Sequence, residues 1–463
     1  MASLSLREFI NKGAYLLLGI AIARGMGREA FGTYALSLLL PRSFFTIADL
    51  GFGTWLVREV SQARSEAGRY FGTIGVYRIL SGICAILCLW VFVALARYHP
   101  LLQRSILLSG GAFFFLHLAS FVFNFFRAFE QMECELQVSA VRSVLLLGGG
   151  LWAILSAKSL VLFFYFFIAA SVLSFMVALF LYQRRIGWSG LRWAPMALEG
   201  VLSIWLIQSV VMVYLYLTTV LLSFFRGIAE VGLYQAAYSF VEIILIFSTI
   251  LTTALFPVFS RLAKGPREEL LVFYDEAFHG VLFFSVPLGV LALFGGETLL
   301  MLFYGASFRQ ALPALYVLLS GFLFFVFGGL NSHLLVAMGK EKIVLGVVAA
   351  CTVFNLILNF LVIPRFGFMG ASLVTFFSEM LIFILMLHWI AKSFKSPDFL
   401  RGSSVLWMGA AWMFLLAPFF RYPFWALSSL GLIFYGVLAF LLRRHLSKEL
   451  RAARDVWKEL RER

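Results

Sequence analysis

Long apolar runs follow one another along almost the whole chain, and they constrain its fold more than any other feature of the sequence. About fourteen of them approach the roughly 20 residues that a helix needs to cross the hydrocarbon core of a bilayer. They cover approximately residues 9–24, 30–57, 70–96, 105–126, 136–157, 160–182, 196–224, 230–257, 272–294, 310–336, 343–363, 368–391, 403–420 and 424–442. Because that core holds no water, each run must satisfy its own backbone hydrogen bonds, as an α-helix does. The sequence therefore predicts an all-α polytopic membrane protein.

The amino-acid composition agrees with a fold embedded in lipid. Hydrophobic residues make up 62% of the chain and charged residues 13%, whereas soluble domains contain about 45–50% and about 25% of these classes. The net charge of +14 does not require a nucleic-acid partner, because most of the 37 Lys and Arg residues fall in alternate connections, on the side of the N-terminus. This distribution follows the positive-inside rule. We therefore expect both termini in the cytoplasm and no binding of nucleic acid.

One stretch of the chain occurs twice, at 27–62 and again at 227–262. Each copy has a glycine-bounded entry, a long apolar helix with one ionisable residue inside it, and a basic exit. Three residues return at the same offset, namely Gly27, Gly32 and Tyr34 as Gly227, Gly232 and Tyr234. Internal repeats of this kind are typical of transporters that bind their substrate between two structural halves.

The repeat predicts the domain organisation. Both copies begin after an odd number of spans, so we predict two pseudo-symmetric six-helix lobes, at 1–190 and 195–393, related by an axis along the membrane normal. Two additional spans are expected at 400–442. The tail at 443–463 has apolar residues at helical spacing with basic residues between them. This pattern predicts an amphipathic helix that lies on the inner membrane surface or docks a protein partner.

Three arginines lie inside predicted spans, namely Arg42, Arg78 and Arg142. A charge at the centre of a membrane helix costs about 2.5–3.5 kcal/mol on insertion scales, so such residues usually face a bundle interior or a wet cavity. Guanidinium groups bind phosphate oxygens through paired, charge-assisted hydrogen bonds. We therefore predict that these arginines, together with Arg24 at the end of the first span, bind an anionic substrate. The alternative is a packing or anchoring role, with side chains near helix ends reaching towards the interface.

Arg42 is the deepest of these arginines and lies in the repeated helix, directly after Pro41. Asp49 follows two turns later on the same helix face, and Glu242 occupies the place of Arg42 in the second copy. We hypothesise that Arg42 and Glu242 pair across a central cleft, and that substrate phosphate competes for Arg42. Separating such a pair would leave two uncompensated charges, so it could bias the equilibrium between two conformations. Asp49 and Glu242 are therefore predicted gating residues.

Other polar side chains also fall within predicted spans. Glu379, midway along the twelfth span, is a candidate proton carrier in ion coupling. Tyr34 and Tyr234 are interpreted as packing residues beside their glycines or as residues that line the substrate path. Asn355 and Asn359 are interpreted as residues that hydrogen-bond between helices.

Motifs for enzymatic chemistry are missing from the sequence. The four cysteines show neither a disulfide framework nor a metal-binding spacing, and we find no phosphate-binding loop and no nucleophile motif. We therefore expect no cofactor, no metal site and no enzymatic activity.

Four segments carry a family resemblance: ARGMGREAFGTYAL, VGLYQAAYSFVEI, LFYGASFRQALPALYVLLSG and AMGKEKIVLGVVAACTVFNLILNFLVIPRFGFMGASL. In order and spacing they resemble the polysaccharide flippases of the multidrug/oligosaccharidyl-lipid/polysaccharide exporter superfamily, over about residues 5–393. Members of this family often carry an aspartate in the seventh span, where this chain has Thr218. The departure puts a cation site in that span in doubt.

The resemblance implies a V-shaped transporter that works by alternating access. It would move undecaprenyl-pyrophosphate-linked oligosaccharide repeat units from the inner to the outer leaflet of the bacterial plasma membrane, for O-antigen, capsule or exopolysaccharide synthesis. The implied partners are this anionic lipid, membrane lipids, and a polysaccharide polymerase or glycosyltransferases. The alternative is a multidrug or cation antiporter of the same superfamily, which would need carboxylates and aromatic side chains around a cationic substrate.

Overall fold

The computed structural model describes residues 2–187 and 201–394, and every regular element in these two ranges is helical. Nine helical segments in them are long and apolar enough to cross a membrane. The helices are α1 (Ala2–Ala48), α2 (Phe52–Gln62), α3 (Ala67–Ala96), α4 (Pro100–Ala128), α5 (Met132–Leu155), α6 (Leu160–Arg185), α7 (Val201–Phe225), α8 (Ile228–Leu262), α9 (Arg267–Tyr304), α10 (Leu312–Ser320), α11 (Phe322–Ala337) and α12 (Glu341–Phe394). The predicted all-α membrane fold is confirmed.

Two of the longest helices each contain two of the predicted spans. Gly27 interrupts α1 with a φ of 82°, and Gly367 interrupts α12 with a φ of 57°. Backbone of this kind suits glycine because a Cβ atom would clash in the left-handed region. The predicted spans at 403–420 and 424–442 and the predicted tail at 443–463 lie outside the residues that the structure describes.

The second predicted span is shorter than expected. The prediction of one continuous helix to residue 57 was wrong, because α1 ends at Ala48 and α2 begins at Phe52. Leu50 and Gly51 turn the chain with φ angles of 53° and 77°. Asp49 then caps α2: its carbonyl accepts from the Phe52 N–H at 3.0 Å and its carboxylate from the Gly53 N–H at 3.2 Å. A carboxylate near the first turn also suits the positive end of the helix dipole.

The chain forms two compact units. Of the described residues, the first contains those up to Gln235 with the short segments Phe303–Ser307 and Ile363–Phe368, and the second contains the others from Ala236 to residue 394. Helix α7 therefore packs within the first unit by its contacts, although it begins the second half of the repeat. The two lobes expected at 1–190 and 195–393 stay a prediction.

Helix α4 lies at the centre of the first unit and contacts α1, α2, α3, α5 and α6. Phe121 and Phe125 on α4 pack with Phe71 of α3 and Tyr182 of α6, with ring centroids between 4.5 and 5.4 Å apart. Aromatic pairs in such tilted or edge-on geometries add about 0.5–1.5 kcal/mol each beyond the area that they bury. The packing makes α4 a firm support for side chains on its other faces.

The two copies of the repeat meet at their glycines. A Cβ atom on Gly32 would collide with the carbonyl oxygen of Ile228, and a Cβ atom on Gly232 would collide with that of Arg28. The contact is reciprocal, because residues 28 and 32 correspond to residues 228 and 232 in the repeat. Small residues let membrane helices approach with their backbones almost touching. The repeated glycines therefore mark a helix crossing between α1 and the first turns of α8.

A carboxylate holds the segment Ile363–Phe368 within the first unit. Glu230 of α8 accepts a hydrogen bond from the Phe368 N–H at 2.9 Å and another from Arg226 Nε at 3.0 Å. Phe368 begins the helical stretch after the break at Gly367, so Glu230 supplies the cap that its free N–H groups require.

Candidate functional site

A cavity of about 830 Å³ lies inside the first unit, between α1, α2, α4 and α7. Its wall combines apolar and aromatic residues with a set of polar side chains. The polar members are Arg42, Thr46 and Asp49 from the α1 region, Arg58 from α2, His117, Ser120, Asn124 and Arg127 from α4, and Gln208 from α7. Volumes of about 300–1,000 Å³ with a few convergent polar groups are typical of ligand sites. The cavity is therefore the candidate substrate site.

The contribution of α4 follows from helical geometry. His117, Ser120, Asn124 and Arg127 are three, four and three residues apart, so they share one face of the helix. At about 1.5 Å per residue this polar stripe is roughly 15 Å long. The aromatic packing on the other sides of α4 holds the stripe against the cavity.

Arg42 differs in its surroundings from Arg58 and Arg127, the other two arginines that line the cavity. Its side chain is exposed and lines the cavity wall. Within the described ranges no carboxylate pairs with its guanidinium, and only its backbone carbonyl accepts a hydrogen bond, from the Thr46 hydroxyl at 2.8 Å. Its donors are therefore available to a ligand.

The other two cavity arginines each have a carboxylate partner. Arg58 pairs with Glu59 at 2.9 Å. Arg127 donates two hydrogen bonds to the Glu135 carboxylate, at 2.6 and 3.0 Å, and Arg7 contacts the same carboxylate. Glu135 is fully buried, so the two arginines supply the charge that its burial demands. The two hydrogen bonds to Glu135 hold the Arg127 side chain in its position at the cavity wall.

Arg78 lies behind the cavity wall. It is fully buried and forms an ion pair with Asp49. Its Nη1 also donates to Nδ1 of His117 at 3.3 Å, and Nε2 of His117 lies 3.4 Å from the Ser81 hydroxyl. A guanidinium can only donate, so Nδ1 accepts and Nε2 carries the histidine proton. The predicted gating residue Asp49 is thus an internal counter-ion for Arg78 and a cap for α2.

Two predicted arginines do not reach the cavity. Arg142 donates to the side chain of Asn11 at 2.7 Å, and the neighbouring Ser143 contacts the same oxygen at 3.3 Å. These bonds join α5 to the start of α1. Arg24 is exposed near the break at Gly27 and does not line the cavity. Substrate binding by Arg142 and Arg24 stays a prediction.

The repeated tyrosines lie among packed side chains. Tyr34 is buried, donates to the backbone carbonyl of Tyr15 at 3.0 Å, and packs against Phe163 with centroids 5.6 Å apart. Tyr234 is also buried. Neither lines the cavity of the first unit, so the packing alternative describes their environment.

The remaining predicted ionisable residues belong to the second unit. Glu242 is exposed on α8 and Glu379 is buried on α12. Arg42 belongs to the first unit, so its pairing with Glu242 stays a prediction, as does proton transfer by Glu379.

Polar side chains on α12 bear out an expectation from the sequence. Asn355 donates to the Ser378 hydroxyl at 2.9 Å, and Asn359 donates to Asn355 at 2.7 Å. Ser378 follows the break at Gly367, so the Asn355 bond joins the two helical stretches of α12, whereas the Asn359 bond lies within the first stretch. Thr218, where family members often have an aspartate, is buried in α7.

The cavity residues that sequence reasoning missed include Arg58, Asn124, Arg127 and Gln208. Arg58 and Arg127 lie at the ends of predicted spans, where the positive-inside rule already explains basic residues. They therefore did not stand out as candidates for the site. The signal that could have found Asn124 is its spacing from His117 and Arg127 along α4. Nothing local singles out Gln208, because only the packing of α7 beside α4 brings it to the cavity.

Metal chemistry finds no support in the part of the chain that the structure describes. No group of three or more His, Cys, Asp or Glu side chains is placed there to hold a metal ion. Arginine, amide and hydroxyl groups dominate the polar wall of the cavity, and these are groups that bind anions and hydroxyls.

Comparison with known proteins identifies the family. The sequence matches the family described as "Polysaccharide biosynthesis protein" over residues 1–263. The chain belongs to this family. The match includes α1–α7, and so it includes every residue of the cavity.

Relatives of this family member come from archaea and bacteria. It is 25% identical over 422 residues to the probable flippase AglR of Haloferax volcanii, covering 85% of this chain and 84% of that protein. It is 28% identical to an uncharacterized membrane protein of Methanocaldococcus jannaschii and 24% identical to the capsular polysaccharide biosynthesis protein CapF of Staphylococcus aureus. These two matches span 38% and 41% of the relatives' lengths, so the chain matches less than half of each.

Solved structures share the fold of this polysaccharide biosynthesis protein. The lipid II flippase MurJ in an inward closed conformation superimposes with a TM-score of 0.74 and 16% identity, covering 96% of this chain and 99% of that one. An inward-facing multidrug resistance MATE transporter has a TM-score of 0.66 and 16% identity, covering 84% and 97%. At these identities the likeness concerns the fold alone, which is that of a multi-pass membrane transporter.

Proposed function

We propose that this protein is a flippase for undecaprenyl-diphosphate-linked oligosaccharide repeat units, which it moves from the inner to the outer leaflet of the plasma membrane by alternating access. The observation that carries the proposal is the unpaired guanidinium of Arg42 in a cavity of about 830 Å³. A diphosphate needs hydrogen-bond donors of positive charge, and Arg42 offers a planar set of them. The probable flippase AglR, which is similar over most of its length, supports the same activity.

The charge balance of the cavity suits a substrate that must be bound and then released. Arg58 and Arg127 already have carboxylate partners. Among the described residues, Arg42 is therefore the cavity arginine that offers a diphosphate a guanidinium without a carboxylate partner. A site with several unpaired buried cations would hold the anion too tightly for release and would cost more to maintain without it.

A cationic substrate would fit the cavity less well. The carboxylate in its wall, Asp49, is committed to Arg78 and to the first turn of α2. A drug cation would have to displace a fully buried guanidinium from that carboxylate, and the displaced charge would lack compensation. The geometry therefore favours the flippase over the multidrug or cation antiporter.

The proposed activity is transport rather than enzymatic catalysis, and it requires no cofactor. The proposal also includes the orientation of the protein in its membrane. We propose that the N- and C-termini lie in the cytoplasm, as the distribution of Lys and Arg indicates, and that the membrane is a bacterial plasma membrane, as the family resemblance implies. Substrate would arrive from glycosyltransferases at the inner leaflet and leave towards a polysaccharide polymerase at the outer one.

The first prediction concerns Arg42. We expect Arg42→Ala to lower the rate of flipping by about 10- to 100-fold, because a charge-assisted pair with phosphate is lost. Arg42→Lys should retain part of the activity, since it keeps the charge but loses the two-pronged geometry. The measurement is the accumulation of inner-leaflet lipid-linked repeat units in a flippase-null strain that expresses each variant.

Arg104→Ala is the matched control, because it removes an exposed arginine of α4 that does not line the cavity. It should flip at the wild-type rate. Normal flipping by correctly inserted Arg42→Ala would contradict the role of Arg42. A wild-type protein that leaves the intermediate trapped for every tested glycan but exports cationic dyes would favour the antiporter instead.

A further inference from the structure

Two amide side chains face the cavity without hydrogen-bond partners among the described residues. Asn124 on α4 is only 4% exposed, and Gln208 on α7 is half-buried. An amide group has two donor hydrogens and an accepting oxygen. A buried amide with none of these satisfied costs free energy unless water or a ligand supplies the missing bonds.

On its stripe of α4, Asn124 is the residue whose side chain has no hydrogen-bond partner among the described residues. On the same stripe of α4, both ring nitrogens of His117 have partners, and Ser120 donates to the His117 carbonyl at 2.8 Å. The nearby carboxylate of Asp49 is already used by Arg78 and by the Gly53 N–H. Asn124 therefore keeps its hydrogen-bonding capacity for something in the cavity.

The first turn of α2 leaves room for the Asn124 amide. A Cβ atom on Gly53 would lie 3.7 Å from Nδ2 of Asn124, which is ordinary van der Waals contact. Asn124 therefore lies beside the turn that carries Asp49, and it lines the cavity.

We propose that Asn124 and Gln208 form a saccharide-binding subsite that recognises the sugar next to the diphosphate. This inference rests on the proposed function, since it assigns the part of the substrate that Arg42 does not bind. Neutral amides provide no charge for a phosphate, but they match the paired donors and acceptors of sugar hydroxyl and acetamido groups. Phe45 and Phe113 in the same wall supply apolar surface for the C–H face of a sugar ring.

The subsite has a consequence for specificity. A site built to hydrogen-bond a hydroxyl rejects an analogue that lacks it, because the buried polar groups of the protein then stay unpaired. Asn124 should therefore discriminate between sugars more strongly than Arg42, whose ligand is common to all diphosphate lipids.

The test measures binding of defined lipids to the full-length protein in detergent micelles. The probes are undecaprenyl diphosphate and the same lipid carrying one N-acetylglucosamine, glucose or galactose. We expect wild-type protein to bind at least one glycosylated lipid more tightly than the bare diphosphate. Asn124→Ala and Gln208→Ala should each weaken binding of that lipid by about 3- to 10-fold while leaving the bare diphosphate unchanged.

Controls separate this inference from the proposed function. Arg42→Ala should weaken all four lipids alike, and Gln103→Ala, an amide on α4 outside the cavity, should weaken none. Gln208 is half-buried, so its variant keeps the test usable if Asn124→Ala fails to fold.

Two results would overturn the subsite and leave the flippase standing: glycosylated lipids that wild type binds no more tightly than the bare one, or amide variants that weaken all four lipids equally. If wild type binds none of the diphosphate lipids, the proposed function fails and the subsite fails with it.

Discussion

Replacing Asp49 with alanine is expected to lower the free energy of unfolding by about 3–5 kcal/mol, because a buried cation then loses its counter-ion. Arg78 is fully buried, and Asp49 is its carboxylate partner. His117 also accepts a hydrogen bond from Arg78 but brings no negative charge. The substitution also removes a cap from the first turn of α2.

The measurement is thermal unfolding of purified variants in detergent, followed by tryptophan fluorescence. The double variant Asp49→Ala/Arg78→Met should recover a large part of the loss, since an apolar side chain needs no counter-ion in that position. Arg64→Ala is the matched control, because it breaks an exposed ion pair with Glu130. That control should cost about 0–1 kcal/mol. Equal losses from Asp49→Ala with and without Arg78→Met would contradict the account.

Alanine at Gly32 is expected to destabilise the protein by about 1–3 kcal/mol or more, because its Cβ atom has no space. The atom would collide with the backbone carbonyl of Ile228, and a backbone atom cannot rotate aside as a side chain can. Helices α1 and α8 would have to separate. Gly232→Ala should have an effect of similar size, since its Cβ would meet the Arg28 carbonyl in the reciprocal contact.

The double variant Gly32→Ala/Gly232→Ala tests the helix crossing more directly than either single variant. Once Gly32→Ala has moved the helices apart, Gly232→Ala should cost less than it does alone, because both atoms need the same space. Gly148→Ala is the control: it changes a helical glycine of α5 whose Cβ would meet nothing within 4 Å. Thermal unfolding in detergent measures all four proteins. Strictly additive losses, or a loss in Gly148→Ala as large as in Gly32→Ala, would argue against the crossing.

The fold was predictable from the sequence to the extent that lipid dictates it. Apolar runs of membrane length correspond to helices throughout the described ranges, and the repeated glycines lie at a helix crossing. The break at Asp49 was missed because the run from 30 to 57 stays apolar through the turn. The two-residue turn at Leu50 and Gly51 leaves only one glycine as a local sign.

The candidate site was predictable only in part. Arg42 stood out because a charge in an apolar span needs an explanation, and the structure places it in the cavity. Arg78 has the same signal but lies behind the wall, paired with Asp49. Position along one span cannot distinguish these two cases, since the difference lies in which neighbouring helix faces the side chain.

The sequence by itself determined the solvent, the helices and the repeated glycines, whereas their place at a helix crossing came from the structure. These follow from local chemistry: lipid requires helices whose backbones satisfy themselves, and positive φ angles favour glycine. Only the tertiary structure decided that Arg42, Asn124 and Gln208 share one cavity. In a membrane protein both the lipid-facing and the interior faces of a helix are apolar, so periodicity does not reveal which face is which. The packing of distant helices makes that choice, and with it the chemistry of the site.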